Sequence, residues 1–380
     1  MDLSKYSNCK AHKQWLFITN EVKPIRPCCY FKTDYDAENL TDYRRQLATA
    51  DIEKNCSNCI KQEAEGNMYS QRYMLERRLK EKDYWLTVSF DNLCDMKCIY
   101  CSPLYSSQIY AESVRYGANT NMIEIVKNMP DNLAKKIWLM KEFFLTTDFD
   151  KVNFTILGGE PLLNPKVYEF LDWLIKQDFA KKVTLTLFSN GKVYHDDLWK
   201  YTDYFAFTTL TFSIDGTGDT FEYIRFGGKY PEVKYNIDLY YAQLEGYRRF
   251  GITLSYAVSW MNAINFAEWF NVFSKDFPKI GHIHMNKLVY PEKFSIDLIP
   301  VPARQEILDK IASEINLTNA NAAFIEAYEI WKTFLTTGPD NSSLLEEAIQ
   351  SLELLDKRRD INYRISFDKI LKILNNHRRV

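Results

Sequence analysis

Residues 85–101 read Trp85-Leu-Thr-Val-Ser-Phe90-Asp-Asn-Leu-Cys94-Asp-Met-Lys-Cys98-Ile-Tyr100-Cys101. The first six, rich in β-branched and aromatic side chains and stopped by Asp-Asn, predict a strand at 85–90. The cysteines that follow stand at a C-x3-C-x2-C spacing on the loop after that strand. Three thiolates so spaced can converge on one centre, and soft thiolates select zinc, copper(I) or iron–sulfur clusters. A structural zinc closes its shell with four ligands, whereas three cysteines leave one corner of a metal site open to a substrate.

Outward from this stretch, β-rich runs alternate with helical ones, the pattern of βα units around a parallel sheet. Further strands are predicted at 151–157, 182–188, 206–214, 252–260 and 282–288, six in all with the first. Helices are predicted at Lys166–Gln177, Pro231–Tyr247 and Phe266–Asp276, with a longer helical insertion over Asn119–Thr146. Six βα units fall two short of a full barrel, so the expectation is an α/β fold, a partial (β/α)6 barrel over 81–300. Residues 301–380 read as a helical C-terminal extension with helices at Pro302–Ile315, Ala322–Thr336 and Ser343–Asp356. Residues 1–80 show little periodicity and read as a small cysteine-rich module that a bound metal would help to fold.

The second predicted strand ends in Gly158-Gly159-Glu160-Pro161, at the face where barrel active sites form. Glycines there let backbone approach a ligand, and Glu160 offers a carboxylate to a cationic amine. Together, the two motifs resemble the radical S-adenosylmethionine superfamily, whose cysteine motif carries an aromatic residue where Tyr100 stands. The resemblance implies that Cys94, Cys98 and Cys101 hold a four-iron four-sulfur cluster whose fourth iron is chelated by S-adenosylmethionine. It implies reductive cleavage of S-adenosylmethionine to a 5′-deoxyadenosyl radical that abstracts hydrogen from a substrate. Gly158, Gly159, Glu160 and Pro161 would hold the methionine amine, and Ser189 and Asn190 would contact the ribose. The Ser213-Ile-Asp215-Gly216 segment is similar to one found in the peptide-modifying branch, and Arg225 matches an arginine that approaches the methionine carboxylate. Val258 would touch the adenine or pack in the core.

All eight cysteines lie in the first 101 residues. Buried structural thiols would scatter, so this clustering points to one or two metal sites. Cys9, Cys28, Cys29, Cys56 and Cys59 form the second group, with Cys28 and Cys29 adjacent and Cys56 and Cys59 in a C-x2-C pair. Residues 16–29, LFITNEVKPIRPCC, resemble the cluster-binding stretch of the SPASM and twitch auxiliary domains, which implies a second iron–sulfur cluster. In those families the auxiliary domain follows the barrel; here it precedes it. Four ligands can be drawn from the five cysteines, leaving one of Cys28 and Cys29 over, and zinc fits the same set.

The net charge of -2 and pI near 6.3 give no basic footprint for nucleic acid or anionic membrane. No stretch approaches the roughly 18 uninterrupted apolar residues of a membrane span, so a cytoplasmic protein is expected. Of the histidines, only His282 and His284 share a strand face. The clusters Arg77-Arg78, Lys357-Arg358-Arg359 and Arg378-Arg379 read as solvated faces. The resemblance implies an external one-electron reductant, flavodoxin- or ferredoxin-like, and a peptide or small-metabolite substrate. The alternative is a zinc- or iron–sulfur-binding protein with a structural or electron-transfer role and no catalysis.

Overall fold

A computed structural model describes residues 4–21, 23–64, 70–127 and 129–377. The strands are β1 (Trp15–Ile18), β2 (Ile25–Arg26), β3 (Asp83–Ser89), β4 (Lys97–Cys98), β5 (Lys151–Leu157), β6 (Val183–Ser189), β7 (Phe207–Ser213), β8 (Arg225–Phe226), β9 (Phe250–Val258) and β10 (Ile283–Lys287). Eight of them form one mostly parallel sheet in the order β10-β9-β7-β6-β5-β3-β1-β2, while β4 and β8 make a separate two-stranded ribbon. All six strands expected from the sequence are present, each within a few residues of its predicted limits.

Two compact units share the chain. The first comprises the chain up to Asp95, Ser102–Phe188 and His195–Thr209. In it β3, β5 and β6 pair in parallel with Leu86 opposite Phe154 and Phe154 opposite Leu185. Along β5 the burial alternates, with Val152, Phe154 and Ile156 fully enclosed and Asn153 and Thr155 on the less buried face. That period of two directs one apolar row beneath the flanking helices. Phe154 packs edge-on against Phe170 of the helix Pro165–Lys176, ring centroids 5.7 Å apart, and against Phe144 of the helix Met129–Thr146 at 6.2 Å. Burying such a side chain stabilises the fold by roughly 1.5–3 kcal/mol.

The N-terminal segment departs from expectation by joining the sheet. β1 runs parallel to β3 with Trp15 opposite Trp85, and the Trp15 indole Nε1 donates to Thr87 Oγ1 at 3.1 Å. β2 folds back antiparallel on β1. These strands are short, four and two residues, too few for periodicity to show in the sequence.

The second unit comprises Met96–Cys101, Ser189–Tyr194 and the chain from Leu210 onward. It holds the parallel pair β9–β10, the β4–β8 ribbon and the C-terminal helices Val301–Glu314, Ala322–Thr337, Leu345–Arg359 and Asp368–His377. The expected long insertion is two helices, Thr120–Lys127 and Met129–Thr146, and belongs to the first unit.

Candidate active site

In the first unit the Gly-Gly-Glu turn is stitched to both flanks of the cysteine loop. Glu160 N donates to Leu93 O at 2.6 Å, just before Cys94, and Gly159 N donates to Tyr105 O at 3.1 Å, after Cys101. Both glycines are left-handed, with φ of 79° at Gly158 and 65° at Gly159. A Cβ on Gly159 would stand 2.6 Å from Leu93 O, and one on Gly158 would stand 2.6 Å from Ser89 Oγ. Only glycine permits both the conformation and the approach. Glu160 is 4% exposed, and its Oε1 accepts from Leu162 N at 3.2 Å, capping the turn Pro161–Leu163. Cys94 is buried beside Ser107, whose hydroxyl donates to Cys94 O at 2.9 Å.

In the second unit the β4–β8 ribbon sets Cys98 opposite Arg225 and Lys97 opposite Phe226. Ile99 N donates to Ile224 O at 2.9 Å and Cys101 N to Cys98 O at 3.0 Å, which tightens the loop into a turn. Arg225 Nε and Nη2 each lie 2.6 Å from Asp215 Oδ2, and Nη1 points at Cys98 Sγ, 3.9 Å away. Asp215 is fully buried; its other oxygen accepts from Ala257 N at 2.7 Å. Burial pushes the Asp215 carboxyl up and the neighbouring guanidinium pulls it down, leaving it above the usual carboxylate range. Burial likewise raises the Cys98 thiol, opposed by Arg225.

Tyr100 lies under this arginine, its ring centroid 6.0 Å from the guanidinium carbon. Its hydroxyl is buried with no hydrogen-bond partner among the described residues. A buried phenol without a partner is costly, so this group fits a site that a polar cofactor completes. Ser189 and Asn190 are buried at the end of β6, and their side-chain oxygens accept from Gly191 N and Lys192 N at 3.1 and 2.8 Å. Ser213 ends β7, and Val258 ends β9 fully buried.

The N-terminal thiols gather in the first unit. Cys9, Cys28, Cys56 and Cys59 line one cavity together with Tyr6, His12 and Arg72. Cys29 is exposed and does not line it. Burial pushes the thiols of Cys9 and Cys56 up to about 12 and about 11, and that of Cys28 higher still. Buried sulfurs of this kind ionise when a thiophilic cation is bound beside them, so the donor set fits a cluster whose separate metal ions each take one thiolate. His12 Nδ1 lies 3.3 Å from Ser7 O, and because a carbonyl only accepts, Nδ1 carries the proton. The lone pair of Nε2 therefore faces Cys56 Sγ at 3.8 Å. Among the described residues, no three Cys, His, Asp or Glu side chains stand close enough to share a single metal ion.

Four contributors carry no sequence signal. Lys136 is fully buried and donates to Ser89 O, Phe90 O and Asn20 Oδ1 at 2.8, 2.6 and 2.6 Å. Asn20 in turn donates to Asp91 O and Leu104 O at 2.9 and 2.6 Å, bracing the cysteine loop at both ends. Arg359, expected on a solvated face, is 9% exposed and donates to Lys97 O at 2.8 Å beside Cys98. Its neighbours Lys357 and Arg358 hide the distinction, since three basic residues in a row look alike. Arg378 and Arg379 lie outside the described residues. Asn262 is fully buried and ties Asp215 O and Ala257 O, at 2.9 and 2.8 Å. His282 and His284 stack edge-on, centroids 4.4 Å apart, on the edge strand β10.

No family model matches the chain, and no curated protein does. Among solved structures it is similar to native anSMEcpe with bound AdoMet and Cp18Cys peptide, at 16% identity and a TM-score of 0.38, covering 68% of this chain and 62% of that one. It is similar to SuiB of Streptococcus suis bound to S-adenosylmethionine, at 12% identity and a TM-score of 0.39, over 76% and 66%. TsrM of Kitasatospora setae, a radical S-adenosylmethionine methyltransferase with tryptophan and a SAM analogue bound, is similar at 8% identity and a TM-score of 0.34, over 53% and 35%. The chain thus spans about three fifths of the anSMEcpe chain it matches. Each score is below 0.5.

Proposed function

We propose that this protein is a radical S-adenosylmethionine enzyme with a catalytic four-iron four-sulfur cluster on Cys94, Cys98 and Cys101. The observation that carries the reading is the turn Gly158–Pro161, hydrogen-bonded to the residues flanking the cysteine motif on both sides. Two motifs 57 residues apart, from Cys101 to Gly158, thus meet at the carboxyl end of adjacent strands β3 and β5. When bound, the cluster supplies one electron that cleaves S-adenosylmethionine to methionine and a 5′-deoxyadenosyl radical.

The chain's own groups have separable tasks. Glu160, buried and ionisable, receives the methionine ammonium, and the Gly158-Gly159 backbone leaves room for it. Tyr100 offers its unpaired hydroxyl to the cofactor. Ser189 and Asn190 shape the loop that borders the ribose, with backbone groups at its surface because their side chains are engaged locally. Ser213 stands at the carboxyl end of β7. Arg225 is committed to Asp215 and Cys98, so its approach to the methionine carboxylate would use the remaining N–H groups.

The N-terminal cavity holds the second cluster on Cys9, Cys28, Cys56 and Cys59, with Cys29 outside it. The substrate is a peptide by resemblance to the auxiliary-cluster branch, and SuiB, which has been solved bound to its precursor peptide SuiA, exemplifies such a substrate for its own case. A flavodoxin- or ferredoxin-like protein supplies the electron. Among the described residues no helix is long and apolar enough to cross a membrane.

The deciding experiment is release of 5′-deoxyadenosine from S-adenosylmethionine by anaerobically reconstituted, chemically reduced protein, beside a Cys98→Ala control. Release by wild type alone is the expected result. A preparation with verified iron and sulfide that releases none, and whose electron spin signal ignores S-adenosylmethionine, would replace the reading with a non-catalytic cluster protein. Zinc without sulfide would make both cysteine groups structural.

A further inference from the structure

Two cationic side chains from different elements of the second unit lie near Cys98. One is Arg225, directly across the β4–β8 ribbon, with Nη1 3.9 Å from the sulfur. The other is Arg359, from the last turn of the helix Leu345–Arg359, bonded to Lys97 O at 2.8 Å and lying over the Phe226 ring with its guanidinium carbon 5.0 Å from the centroid.

Arg225 cannot swing away cheaply. Two of its nitrogens are bound to one oxygen of Asp215, and the other oxygen of that carboxylate is held by Ala257 N on β9. Asn262 ties the backbone on both sides, at Asp215 O and Ala257 O. The guanidinium is therefore fixed with a donor aimed at sulfur. A hydrogen bond to a ligating thiolate, and a positive charge beside it in a poorly solvated site, stabilise the reduced and more negative form of a cluster.

Building on the cluster assignment above, we propose that Arg225, oriented by Asp215, is a positioning residue that raises the reduction potential of the cluster through Cys98. Arg359 is its second cationic neighbour, which makes the C-terminal extension a working part of the redox site.

The test is a redox titration of the anaerobically reconstituted full chain, followed by electron spin resonance without S-adenosylmethionine. The relevant signal is the one that Cys98→Ala abolishes. In Arg225→Met the potential should fall by at least the equivalent of a tenfold change in the oxidised-to-reduced ratio, about 59 mV for a one-electron couple. Arg359→Gln should shift it the same way by less. Arg225→Lys, which keeps charge but loses the fixed fork, should fall between wild type and Arg225→Met.

Normal iron–sulfur spectra with unchanged potentials in these variants would overturn the inference while leaving the cluster assignment intact. So would an Arg225→Met protein whose only defect is weaker S-adenosylmethionine binding. Should Arg225→Met fail to hold a cluster, Arg359→Gln decides: a lowered potential supports the inference and an unchanged one overturns it. Wild type without an iron–sulfur spectrum would overturn the assignment and this inference together.

Discussion

Gly159 and Gly117 are both left-handed, at φ 65° and 63°, but their surroundings differ. Nothing lies within 4 Å of a Cβ built on Gly117, whereas on Gly159 it meets a backbone carbonyl at 2.6 Å. Gly117→Ala should therefore cost about 1 kcal/mol, the left-handed penalty alone. Gly159→Ala must also displace Leu93, and should cost roughly 2–3 kcal/mol. Chemical denaturation of the two variants measures the difference, and equal losses would show that the Leu93 contact yields freely. The cysteine pair offers a second contrast. Cys28→Ala should abolish metal binding at the N-terminal site, while Cys29→Ala should retain it, read by metal content in a Cys94→Ala/Cys98→Ala/Cys101→Ala background. The sequence presents Cys28 and Cys29 as equivalents; only the local turn, which buries one and exposes the other, separates them.

At the scale of elements, Lys136 is the brace between the helix Met129–Thr146 and the end of β3. Its three acceptors are all buried, so below pH 7, where the amine is a full ammonium, Lys136→Met removes three donors at once. A loss of roughly 3 kcal/mol and faster amide exchange in the 91–104 loop are expected. Burial pushes the Lys136 ammonium down to about 7 from the ordinary 10.5. The folded state then binds fewer protons than the unfolded state between these values, so wild-type stability should rise as pH increases from about 7 towards 10. The Lys136→Met protein should lack that increment. Denaturant midpoints at pH 7 and pH 9 check the sign, and a parallel dependence in both proteins would mean that the amine keeps its proton in the fold. Nothing in the sequence marks this lysine, because Lys-Lys in a helix reads as a solvated face. Its burial is decided by the strand end that the helix happens to cover.

For the whole molecule, the strand pairing changes what the N-terminal 80 residues are. β1 covers the edge of β3 along Trp85–Val88, and Leu86 and Val88 are completely enclosed. A chain beginning at Lys82 would expose that edge, and an unprotected apolar strand recruits other chains. It should elute as aggregate in size-exclusion chromatography; a well-behaved monomer would show that the segment is dispensable to the sheet. By itself, the sequence determined the six strands 85–90 to 282–288, the cysteine motif and the Gly-Gly-Glu turn. Those signals are local: alternation of side chains along a strand, fixed spacing on a loop, and glycine where the backbone must turn left-handed. Tertiary structure alone decided that β1 and β2 complete the sheet. It also decided that Arg225 reaches Cys98 and Arg359 the carbonyl of Lys97 beside it, and that Asn20 and Lys136 brace the cysteine loop. The side-chain contacts among these join residues 46 to 262 positions apart. Hydrogen-bond partners at such separations are fixed by packing of the finished fold, and a polar side chain carries no mark of the partner it will meet.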